Sequence, residues 1–109
     1  MNKLTLEKMA VTAFENERKT RLSLFTAAEQ AITVRIALED AKTQASIGGV
    51  FDGKNAEIRE AQAKDHLQSE YAEVTAAEKT ERRCRFEYDR AQVEVDTVKT
   101  LLRIAELTE

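Results

Sequence analysis

The sequence contains no proline and no tryptophan, only three glycines, one cysteine and one histidine. With so few of the residues that punctuate strands and tight turns, a barrel, a sandwich or a doubly wound sheet is excluded in favour of long helices. A single cysteine cannot form an internal disulfide, so a reducing compartment is expected. His66 and Cys84 stand alone of their kinds. No second His or Cys lies at ligand spacing and no general acid–base partner can be named, so the expectation is no enzyme, no metal and no cofactor. No apolar run approaches the ~20 residues that cross a bilayer, and the opening Met1-Asn2-Lys3-Leu4-Thr5-Leu6-Glu7-Lys8 lacks the apolar stretch of a signal peptide. A soluble cytoplasmic chain with no membrane partner is therefore expected.

Charge and periodicity are plentiful. The 109 residues carry 17 Lys+Arg against 20 Asp+Glu, a formal net charge of -3, which gives no global attraction to nucleic acid or anionic lipid. All three glycines fall between Gly48 and Gly53, the one strong break in the chain. Asn55 can cap the helix beyond this break, with Glu57 in its first turn, and Thr5 is the expected cap of the first helix. The pattern predicts a single helical-hairpin domain over 1–109: helix 6–46, turn 47–54, helix 56–107.

Apolar and small residues then recur by threes and fours. Ala10, Ala13, Glu17, Thr20, Leu24, Ala27, Ala31, Val34, Leu38, Ala41 and Ala45 mark a seam on the first helix. On the second, the seam runs from Ala56 and Glu60 through Ala63, Leu67, Glu70, Val74, Ala77, Glu81, Cys84 and Tyr88 to Ala91, Val95, Val98, Leu102 and Ala105. A 3.5-residue repeat sustained over several heptads predicts a long antiparallel two-helix coiled coil. Folding back at Val50–Phe51 makes facing positions add to 101, so that Ala13 meets Tyr88 and Ala27 meets Val74. The second helix then outruns the first by about ten residues, leaving Val98, Leu101, Leu102, Ile104, Ala105 and Leu107 as an apolar overhang.

A second stripe on the first helix, Val11, Phe14, Leu22, Phe25, Ile32 and Ile36, is interrupted by Arg18 and Glu29. A lone hairpin cannot cover it, so a homodimer forming a four-helix bundle is expected. Val50, Phe51, Val98, Leu101, Leu102 and Ile104 are the expected self-association or partner contacts, with Val50 and Phe51 alternatively plugging the end of the bundle.

Two other motifs carry competing readings. Gly48-Gly49-Val50-Phe51-Asp52-Gly53-Lys54-Asn55 fits GxxxxGK, but a helix leads into it, Asn55 stands where a Ser or Thr would hold magnesium, and no strand pattern exists; turn chemistry is the expectation. Arg18, Arg21, Arg82, Arg83 and Arg85 could form a phosphate-binding collar for nucleic acid or another anionic ligand. Glu15, Glu17, Glu78, Glu81, Glu87 and Asp89 are interspersed, and the polar seam positions Glu17, Thr20 and Glu81 suggest buried Arg–Glu pairing across the bundle instead.

The segment Asp52-Gly53-Lys54-Asn55-Ala56-Glu57-Ile58-Arg59-Glu60-Ala61-Gln62 resembles the turn and helix start of small helical proteins of bacteriophages and prophages. Val98-Lys99-Thr100-Leu101-Leu102-Arg103-Ile104-Ala105-Glu106-Leu107 is similar in character to their Leu/Ile-rich tails. The resemblance covers about half the chain and implies a role in phage DNA metabolism or counter-defence within the host cytoplasm, with a host or phage protein as partner. It brings no functional residue with it.

Overall fold

The computed structural model describes residues 2–108 and is all-α. Helix α1 spans Lys3–Ile47, α2 spans Ala56–His66 and α3 spans Gln68–Thr108. The chain divides into two compact units, residues 1–26 with 82–109 and residues 27–81. In each, α1 is joined by a segment that returns after the glycine turn, a hairpin-like arrangement. None of the helices is long and apolar enough to cross a membrane among the described residues.

Helix α1 starts earlier than the sequence suggests. The Thr5 amide donates to Asn2 Oδ1 at 2.8 Å, and the Leu6 amide donates to the Asn2 carbonyl at 3.1 Å. Asn2, not Thr5, is therefore the cap, because its short side chain reaches the third amide beyond it. At the second expected start the cap is Asn55, in extended conformation at φ -142°, ψ 171°, with Oδ1 accepting from the Ile58 amide at 2.9 Å.

The expected continuous helix 56–107 is instead broken at Leu67, whose φ of -113° and ψ of 39° leave the helical region. Backbone hydrogen bonds persist on either side: Leu67 N–H donates to the Ala63 carbonyl at 2.9 Å and the Leu67 carbonyl accepts from Tyr71 N–H at 3.0 Å. The interruption is a one-residue departure in dihedral angles, and Leu67 itself is buried.

The seam is where burial occurs. Every α1 seam position from Ala10 to Ala45 is buried or half-buried, as is every position from Ala63 to Ala105 on the returning helices; only Ala56 and Glu60, at the start of α2, are exposed. The register differs from the expected one. In the unit built from the chain ends, Ala10 and Ala13 form one core cluster with Val95 and Val98, flanked by Met9 and Leu102. Ala13 therefore packs one heptad further along α3 than the expected Tyr88. Tyr88 instead lies under the Arg21 guanidinium, 5.9 Å from the ring centroid. A heptad seam looks the same after a shift of seven, and small-against-large matching is met in both registers, so the repeat alone cannot choose between them.

The shift removes the expected overhang. Val98 is 1% exposed, the most deeply buried large side chain described, and Leu102 packs against the same cluster. Leu101 is half-buried, and Ile104 and Leu107 remain exposed large hydrophobics of the last turns of α3.

Candidate functional site

The GxxxxGK segment closes α1 and opens α2. Gly49 N–H donates to the Ser46 carbonyl and Val50 N–H to the Ala45 carbonyl, both at 3.0 Å, with Gly49 at φ 76°. This pair of bonds is a Schellman motif, which glycine favours because a Cβ disfavours positive φ. Two side chains of α2 then reach back over the turn. Gln62 accepts from the Gly53 amide at 3.0 Å and donates to Asp52 Oδ1 at 2.8 Å, while Arg59 Nη1 donates to the Gly53 carbonyl at 3.0 Å. Gly53 is packed so closely that an added Cβ would sit 2.5 Å from Ile58 Cγ2. The Gly49, Val50 and Gly53 amides, which a phosphate-binding loop would present, are thus spent on helix carbonyls and on Gln62. Asp52, Gly53, Asn55, Arg59 and Gln62 are residues that shape and lock this turn.

At the turn, Val50 is exposed and Phe51 is half-buried, its ring edge-on to His66 at 6.1 Å between centroids. His66 belongs to no group of metal-ligating residues, and no such group exists among the described residues.

Close by in the same unit is a polar cluster that the sequence does not announce. Tyr71 Oη donates to Glu60 Oε1 at 2.8 Å, and Lys42 Nζ donates to Glu60 Oε2 at 3.4 Å while lying 6.0 Å from the Tyr71 ring centroid. Glu60 and Tyr71 flank the Leu67 break. The Tyr71 hydrogen bond, then Lys42, holds the Glu60 carboxyl below its ordinary range. Burial and the Glu60 carboxylate push the Tyr71 phenol up. For Lys42, burial opposes the charge, but the bonds to Tyr71 and Glu60 outweigh it and raise its pKa.

The signs give a pH window. Glu60, with a depressed pKa, stabilises the unit at neutral pH, and that contribution disappears as acid titrates the folded carboxyl. Tyr71, with a raised pKa, contributes below the ordinary phenol range and loses its contribution as alkali ionises it. In a Tyr88→Phe background, absorbance titration should place Tyr71 above an ordinary tyrosine, and Glu60→Gln should move its midpoint down. An unmoved midpoint would show that Glu60 does not govern the phenol.

The five arginines fall in one unit, but not as a free collar. Arg21 Nη2 bonds Glu17 Oε1 at 2.9 Å, and hydrogen bonding to Tyr88, more than the charge of Glu17, raises its pKa. Arg18, Arg82, Arg83 and Arg85 are exposed on their helices. No charged residue is buried among those described. Glu17 is neutralised one turn away by Arg21, and the Thr20 hydroxyl donates to its own helix, to the Asn16 carbonyl at 2.8 Å. Arg35, an arginine outside the expected group, reaches Glu78 at 3.2 Å and Glu81 at 3.7 Å from the facing helix while half exposed. Cys84 is a free, half-buried cysteine on the seam.

An open groove of about 850 Å³ lies between α1 and α3 in the unit of the chain ends, floored by Ala13 and Ala91. Lys8, Lys19 and Arg90 line it together with Glu15, Glu87 and Glu94, so it offers no single sign of charge to a ligand.

What stands out on the surface is apolar. Val11, Phe14, Leu22, Phe25, Ile32 and Ile36, the second stripe of α1, are all exposed, Leu22 at 66% and Phe25 at 62%. Lys99 covers one side of Phe14, with Nζ 5.7 Å from the ring centroid. Phe86 and Val93 on α3 are exposed as well. Of the contacts expected from the sequence, Val50, Leu101 and Ile104 keep accessible surface, whereas Val98 and much of Leu102 face the interior of their own chain.

No family model, curated protein or solved structure matches the chain.

Proposed function

We propose that the chain is a non-enzymatic helical-hairpin interaction protein that pairs with a second copy of itself, two hairpins making a four-helix bundle, and in that form presents a surface to another protein. The exposed row of large apolar side chains on α1 carries the proposal. Scattered surface hydrophobics need no explanation, but a periodic row of aliphatic and aromatic side chains in water is the pattern of a helix awaiting a partner helix. The heptad seam already supplies the burial within the chain, so the stripe is surplus to the hairpin itself.

Light scattering on the purified protein tests this. The expected mass is twice the 12.3 kDa of the chain, and Phe25→Glu should return it to the single-chain value with helicity retained, because Phe25 is exposed and outside the core. A wild-type mass of one chain at ~100 μM, where an association of only about -5.5 kcal/mol would already place half of the chains in dimers, would overturn the proposal. Leu102 is unsuited to this test: it packs on the core cluster, so its replacement would report folding and not assembly.

A further inference from the structure

From the order of residues along the α1 stripe we infer that two copies associate antiparallel through α1, with the two-fold axis between Leu22 and Phe25 and with Arg18 of each copy facing Glu29 of the other. The inference rests on the self-association proposed above and adds the face, the direction and the register.

Helix α1 is unbroken from Lys3 to Ile47. Its second stripe occupies positions 11, 14, 18, 22, 25, 29, 32 and 36, a spacing averaging close to the 3.6 residues of a helical turn, so these positions share one face of the helix. Read from either end, the chemistry of the stripe is the same. Two apolar residues (Val11, Phe14) precede a charged one (Arg18), two apolar residues (Leu22, Phe25) sit at the centre, and a charged residue (Glu29) precedes two more apolar ones (Ile32, Ile36). Turned end to end about a point between Leu22 and Phe25, the pattern falls on itself to within one residue. Leu22 then meets Phe25 of the second copy, Val11 meets Ile36, and Phe14 meets Ile32.

The two interruptions carry opposite charges and lie equally far from that point. In the antiparallel arrangement they become two symmetry-related Arg18–Glu29 pairs at the flanks of the apolar centre. In a parallel arrangement Arg18 would face Arg18 and Glu29 would face Glu29, placing like charges together twice, which disfavours that direction. Both residues are exposed. An isologous contact requires a self-complementary surface, and this stripe meets the requirement in both residue class and charge. A second copy is therefore the partner whose chemistry it fits.

Single cysteines introduced in a Cys84→Ser background distinguish the outcomes. Val11→Cys and Ile36→Cys are both at exposed positions, so folding should survive. The expected result is cross-linking by a short bismaleimide only when the two variants are mixed. Cross-linking of each variant alone would mean parallel docking and overturn the inference. No cross-link in any sample of double-chain mass would place the interface elsewhere and also overturn it, while leaving self-association standing. A single-chain mass would remove both readings. Charge reversal adds a second readout: Arg18→Glu or Glu29→Arg alone should weaken the dimer about tenfold, by creating two like-charge contacts, and the double reversal should restore it.

Discussion

Val98→Asp should unfold the unit formed by the chain ends, while Val93→Asp, five residues earlier on the same helix, should be nearly silent. Val98 is 1% exposed and clustered with Ala10, Ala13 and Val95, whereas Val93 is 65% exposed. Both substitutions change the same residue type in the interior of α3, so intrinsic helix propensity cancels in the comparison. What remains is the environment. A carboxyl placed in the alanine-lined core has no partner and must either stay charged in an apolar site or be held protonated, at a cost of about 3–5 kcal/mol. At Val93 the new carboxylate stays in water, and a change within about 0.5 kcal/mol is expected. Urea unfolding monitored by far-UV circular dichroism, at matched protein concentrations, measures both. The comparison also tests the register, because in an unpaired overhang Val98→Asp would be as mild as Val93→Asp.

The three glycines of the turn should separate into three outcomes. Gly48→Ala should be tolerated, since its Cβ would meet only the Ala45 and Gln44 carbonyl oxygens at 3.6 Å, ordinary van der Waals contact. Gly49→Ala has room but must adopt φ 76°, a strain of roughly 1–2 kcal/mol for a residue with a Cβ. Gly53→Ala drives its Cβ to 2.5 Å from Ile58 Cγ2 and 3.0 Å from Ile58 Cβ. A β-branched side chain at the first turn of α2 cannot swing its own Cβ away, so backbone must move, and the hydrogen bonds of Gly53 to Gln62 and Arg59 are disturbed with it. About 2–3 kcal/mol is expected. Removing the obstructing methyls should recover part of this: Gly53→Ala with Ile58→Ala should be less damaging than the sum of the two single changes. Strict additivity would show that the close approach is not what makes Gly53 necessary.

Much of the fold is legible in the residue pattern, for a reason that can be stated residue by residue. Ala10, Ala31, Val34, Leu38, Ala91 and Val95 lie on faces of three-and-four spacing that must leave water, and they are found buried. The site is legible to a different degree. The exposed stripe of α1 comes from the same spacing, because a hairpin can bury only one face of each helix. Arg59 and Gln62 carry no such signal: at the start of a charged helix they look like solvated residues, and only the path of the turn brings the Gly53 backbone and Asp52 within their reach. Lys42, Glu60 and Tyr71 are silent for a similar reason. Glu60 and Tyr71 are 11 residues apart, and their hydrogen bond to one another spans the break at Leu67, which no proline or glycine announces.

The all-α class, the single turn at Gly48–Gly53 and the seam from Ala10 to Ala45 and from Ala63 to Ala105 follow from the residue pattern alone, since those are local or periodic properties of the chain. The break at Leu67 and the exposure of Ala56 and Glu60 do not. The pairing of Ala13 with Val95 and Val98 in place of Tyr88 belongs to the folded molecule, and with it the conversion of Val98 from overhang to core. A repeat of seven is indifferent to a displacement of seven. Only the packing of particular side chains, such as Arg21 settling on Tyr88 and Leu102 closing over the Ala10–Val98 cluster, distinguishes one register from the next.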